Sequence, residues 1–104
     1  MREVAVAKDS DLAAEDMLAV EVDDMRVVLF KDSQGCIYAL EDRCSHADVP
    51  LSEGSFSNCE VECMAHGARF DVRSGKQLCM PAVAPVKSFK VRVQEGVILL
   101  ELPV

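Results

Sequence analysis

No uninterrupted apolar run of about 18 residues, the length a helix needs to cross a bilayer, occurs in the 104 residues of this chain. The start, Met1-Arg2-Glu3-Val4-Ala5-Val6-Ala7-Lys8-Asp9, has acidic residues where a signal peptide needs a long apolar core. No membrane association and a cytoplasmic location are therefore expected. Basic residues are scarce, 11 against 18 acidic, and the formal net charge of −7 repels nucleic acid and anionic lipid alike. Five cysteines are an odd number, which disfavours a fully paired disulfide framework. Internal repeats, low-complexity segments and linkers are absent as well.

What remains has the composition of a compact domain, with 50% hydrophobic and 28% charged residues. The length suits one domain over residues 1–104. A chain this short buries a modest share of its surface, so a metal centre closed by two loops would add to its stability. The acidity has two readings: a partner with a basic docking surface, or plain solubility.

Both histidines of the chain, His46 and His66, stand beside cysteines. Cys44-Ser45-His46 is followed after sixteen residues by Cys63-Met64-Ala65-His66, and each half offers one thiolate and one imidazole. Around them run Asp42-Arg43, Leu51-Ser52-Glu53-Gly54, Val61-Glu62, Gly67-Ala68-Arg69-Phe70-Asp71-Val72 and Ser74-Gly75-Lys76. In these stretches the chain resembles the Rieske-type 2Fe–2S ferredoxins of bacterial aromatic ring-hydroxylating dioxygenase systems, most closely those serving naphthalene- and biphenyl-type enzymes. The resemblance covers nearly the whole chain, weakening before about residue 15.

The resemblance implies one Rieske cluster with Cys44 and Cys63 on one iron and His46 and His66 on the other. It implies a carrier of single electrons, not an enzyme, between a flavin-containing, NADH-dependent reductase and a terminal Rieske oxygenase that dihydroxylates an aromatic ring. Two ferric irons, two sulfides and two thiolates sum to zero charge with neutral imidazoles, whereas four thiolates leave the centre negative; reduction is thereby made easier. Exposed imidazoles also lose protons more readily from the oxidised centre, so the potential is expected to fall with rising pH. With both histidines engaged, none is left for a two-His-one-carboxylate iron site that activates oxygen.

The Rieske proteins of respiratory cytochrome bc complexes carry a disulfide at the positions of Val49 and Ala65, and hydroxyl donors at those of Ala68 and Phe70. Neither feature is possible here, and a low potential, about −150 to 0 mV, is expected. Two other readings stand beside this one. The small Rieske-like subunit of an assimilatory nitrite reductase shares the size and fold, and a structural zinc module could use the same four ligands. Cys36 and Cys79 are expected as small buried hydrophobes, while a Cys59/Cys63 pairing or zinc site is the minor option for Cys59. Gly67 either lets backbone approach the cluster or serves a turn. The resemblance places 80–85 beside the cluster as a third covering loop, which Pro81 stiffens unless it only ends a strand, and Met64 and Met80 are tip contacts or packing.

The periodicity is that of strands. Glu3 to Ala7 is a strand; Asp9 to Met17, with Ser10 as N-cap, is one or two helical turns. Leu18 to Val22 and Met25 to Lys31 flank a tight Asp23-Asp24 turn, and Cys36 to Leu40 completes a three-stranded meander. Residues 43–70 break the pattern, as loops shaped around a site do; a strand over Ser57 to Glu62 leads into the second ligand loop and Ala68 to Val72 leads out. Ser88 to Gln94 alternates polar and apolar as one strand, and Val97 to Leu102, apolar on both faces, reads as central. The expected fold is all-β, a Rieske-type antiparallel β-sandwich base of eight to ten strands with a small cluster-binding lobe, about 43–70, formed by the two ligand loops.

Overall fold

The computed structural model describes residues 2–44, 49–64, 67–79 and 84–102. Short apolar segments separated by tight turns fold them into ten strands, arranged antiparallel in three sheets. The middle sheet is built from β2 (Asp16–Val22), β3 (Met25–Lys31), β4 (Ile37–Glu41) and β8 (Ser88–Phe89), hydrogen-bonded in that order. Its strand β3 carries four consecutive residues, Val27 to Phe30, without solvent exposure. A strand buried on both sides must have a layer on each.

One layer is the sheet β1 (Arg2–Lys8), β10 (Val97–Leu102) and β9 (Val91–Gln94), with β10 central. It packs Ile98, Leu100 and Leu102 against Val27, Leu29, Ala39 and Phe89. The other is the small sheet β5 (Ser55–Ser57), β6 (Glu60–Glu62) and β7 (Arg69–Asp71). It sets Val61 and Phe70 against Val28, Phe30 and Leu40, with Cys44 and Cys63 in the same core. Alternation along β3 thus feeds two cores, and the second holds both predicted thiolates.

The all-β expectation holds, and so does the meander. At the Asp23-Asp24 turn both residues have positive φ, 50° and 65°, the conformation that lets a two-residue hairpin match the twist of its strands. Five expectations are corrected. The helical segment is a single 3-10 turn, Asp9–Asp11, because Asp16 and Met17 already pair with Lys31 and Phe30 in β2 and β3. Ser10 lies inside that turn instead of capping it; the Lys8 backbone N–H donates to the Asp11 carboxylate at 3.1 Å.

The strand expected over Ser57 to Glu62 is a hairpin, β5 and β6, turning at Asn58 and Cys59 with φ of 50° and 62°. The strand expected over Ser88 to Gln94 breaks at Lys90: β8 pairs with β4 and β9 with β10, so the chain crosses from one sheet to the other. Strands that switch sheets at a corner are how packed sheets share a chain. Finally, Cys36 precedes β4 and is exposed, as is Cys79. The Cys36 N–H donates to the Asp32 carboxylate, which holds it at the turn instead of in the core. No helix of the described residues is long and apolar enough to cross a membrane.

Candidate metal centre

β4 runs into the first predicted ligand loop and β6 into the second, and the two loops are closed alike. The Cys44 N–H donates to the Val49 carbonyl at 2.9 Å, and the Cys63 N–H donates to the Ala68 carbonyl at 2.7 Å. In each case the bond spans five positions and encloses a predicted histidine. Both cysteines are buried, at 1% and 0% exposure, and both pack among Val28, Phe30, Leu51, Val61, Ala68 and Phe70. Paired thiols in such a setting are shielded from water and held by backbone, which suits metal ligation.

His46 and His66 lie outside the described residues, as do Ala65, Met80 and Pro81. Among the described residues no group of three or more His, Cys, Asp or Glu is placed to hold a metal ion; these residues contribute the two cysteines of the predicted set. Gly67, beside His66, has φ of 74°, a backbone conformation that glycine adopts without steric cost. The Cys79 thiol donates to its carbonyl at 3.6 Å, tying the chain before residues 80–83 to the second loop. Met64 is 62% exposed beside Cys63, and Leu78 is 46% exposed.

Cys59 is half-buried and in no disulfide. Burial pushes its thiol up, against the nearby Arg73 guanidinium, which lowers it. Sequence reasoning missed how the loops are fastened. The Asp42 carboxylate, before the first loop, accepts from Ser52 after it, and Arg69 donates to Glu62 across the second at 3.1 Å. The profile of the Rieske [2Fe-2S] domain family matches residues 2–90.

The chain belongs to the Rieske family. Its cofactor is the Rieske [2Fe–2S] cluster, and two buried cysteines in matching loops fit the thiolate half of that donor set. The "3-phenylpropionate/cinnamic acid dioxygenase ferredoxin subunit" of Escherichia coli K12 is 38% identical over 86 residues, 82% of this chain and 81% of its own. The "Naphthalene 1,2-dioxygenase system, ferredoxin component" of Pseudomonas putida is 33% identical over 93 residues, covering 89% and 88%. Among solved structures, one chain of the "Complex of reduced oxygenase and oxidized ferredoxin in carbazole 1,9a-dioxygenase" superposes with TM-score 0.87 at 29% identity, over 94% of this Rieske chain and 91% of that one.

Proposed function

We propose that this Rieske protein is the ferredoxin component of an aromatic ring-hydroxylating dioxygenase system, a one-electron carrier in the cytoplasm with no catalysis of its own. It takes electrons from a flavin-containing, NADH-dependent reductase and delivers them to a terminal Rieske oxygenase. Cys44 and Cys63 hold one iron and His46 and His66 the other, within a lobe of about residues 43–70 on a single domain of residues 1–104. The observation that carries this reading is the pair of buried cysteines at the same place in two alike-closed loops. The names of the relatives support the system it serves, and the ferredoxin–oxygenase complex among them supports the acceptor.

When bound, the cluster supplies a centre that stores and releases one electron. The chain's own residues do the rest. Apolar neighbours of Cys44 and Cys63 exclude water from the sulfur side. Exposed Met64 and Leu78 give apolar surface beside the second loop, where a partner can approach without desolvating charge.

Purified protein is expected to be red-brown, with iron and acid-labile sulfide in equal amounts, and to lose colour in Cys44→Ser, Cys63→Ser, His46→Ala and His66→Ala variants. It is expected to be reduced by NADH only when the flavin reductase is added. A colourless zinc protein would overturn the reading.

A further inference from the structure

Asp42 is the most enclosed charged group in the described structure near the site. Its side chain has 0% exposure, and it stands two residues before Cys44. The Ser52 backbone N–H donates to Oδ1 at 2.8 Å and the Ser52 hydroxyl donates to Oδ2 at 2.7 Å. The half-exposed Arg26 guanidinium is farther, 3.8 Å from Oδ2. Ser52 belongs to the 3-10 turn Leu51–Glu53, whose Leu51 is fully buried in the core with both cysteines. The Asp42 N–H in turn donates to the Arg26 carbonyl of β3 at 2.9 Å. The Asp42 carboxylate thus fastens the two ends of the segment 43–51, which carries Cys44 and His46, and its backbone N–H anchors them to the middle sheet.

The second loop has no such buried fastening among the described residues: the Glu62 and Arg69 side chains that bridge it are each about half-exposed, 45% and 55%. A buried carboxylate is costly unless its lone pairs are satisfied, so Asp42 and Ser52 hold one geometry more strictly than an exposed pair does.

We propose that Asp42, acting through Ser52, is a positioning residue of the cluster site that holds the Cys44–His46 half of the donor set in place. The proposal rests on the ligand reading above. Groups that orient metal ligands typically change metal retention about 10- to 100-fold when removed.

The test uses cluster-bearing protein with Ser52→Ala, Ser52→Thr and Asp42→Asn. Three quantities are measured: loss of visible absorbance under a chelator, the electron paramagnetic resonance spectrum of the reduced protein, and unfolding by far-ultraviolet circular dichroism. Ser52→Ala is expected to lose the cluster about tenfold faster or more, with a shifted spectrum. Ser52→Thr, which keeps the hydroxyl, is expected to restore both. Asp42→Asn is expected to follow Ser52→Ala; should it fail to fold, the two Ser52 variants decide alone. Wild-type retention and spectrum in Ser52→Ala would overturn the proposal, as would faster loss that merely parallels scaffold unfolding with an unchanged spectrum. A wild-type protein without iron and sulfide would instead remove the ligand reading, so the two failures are distinguishable.

Discussion

Ala68 and Phe70 are both fully buried, and both stand where the Rieske proteins of respiratory cytochrome bc complexes carry hydroxyl donors. The Ala68 carbonyl accepts from the Cys63 N–H, and Phe70 shares a core with Cys44 and Cys63. Neither side chain can donate a hydrogen bond, so neither favours the more negative, reduced centre. The midpoint is expected at about −150 to 0 mV, and a titration above about +200 mV would contradict this. Ala68→Ser and Phe70→Tyr each add a donor at the cysteine side. A hydrogen bond that strengthens on reduction by about 0.5–1.5 kcal/mol raises a one-electron potential by about 20–60 mV. Either variant is expected to shift upward by that amount in a redox titration, and an unchanged potential in both would show that these positions do not face the centre.

Between elements, two glycines are fixed by close approach. A Cβ on Gly54 would stand 1.9 Å from the Glu62 carbonyl oxygen, and one on Gly75 would stand 2.1 Å from the Val86 carbonyl oxygen. Backbone cannot yield as a flexible side chain does, so Gly54→Ala is expected to cost about 2–3 kcal/mol or more, lowering Tm by about 10 °C or more. Gly35→Ala, where positive φ is the sole obstacle and space is open, is expected to cost about 1–2 kcal/mol. Equal losses would mean that the close approach is not retained in solution. The turn after β7 gives a pH prediction. Hydrogen bonds from the Arg73 guanidinium hold the Asp71 carboxyl below its ordinary value, with burial opposing. A carboxyl depressed in the folded state contributes stability above its unfolded pKa of about 3.9, lost as pH falls through the folded value. Asp71→Asn is therefore expected to flatten the fall of Tm below about pH 4; an unchanged slope would exclude the pair as a source of acid sensitivity. What the sequence made legible at this scale was local. The Asp23-Asp24 hairpin and β10 are written in a turn dipeptide and an apolar run. The β5–β6 hairpin has no glycine at Asn58-Cys59 to mark it, and the break at Lys90 interrupts no alternation, because it exists only through pairing with β4 and β10. The site divides likewise: Cys44 and Cys63 are read from spacing, whereas the Asp42–Ser52 fastening depends on a burial that only the packed core creates.

For the whole molecule, the net charge of −7 is the property a partner meets before any contact forms. An excess of one sign steers an oppositely charged partner at low salt and is screened as the Debye length falls from about 10 Å at 0.1 M to about 3 Å at 1 M. Glu53 is well placed to report on this, being exposed on the 3-10 turn that follows the first ligand loop; Asp48, within that loop, lies outside the described residues. If the reductase or the oxygenase docks at this end through a basic surface, the second-order rate of electron transfer falls several-fold as salt is raised from about 0.05 M to 0.5 M. Glu53→Lys then lowers the low-salt rate and weakens its salt dependence, while the potential of the centre changes little, because an exposed charge acts through a high-dielectric medium. Stopped-flow mixing of reduced ferredoxin with oxidised oxygenase, and of reductase with oxidised ferredoxin, separates the two partners. A rate independent of salt with both, and unaltered in Glu53→Lys, would mean that the acidity serves solubility and that docking relies on the apolar surface offered by Met64 and Leu78.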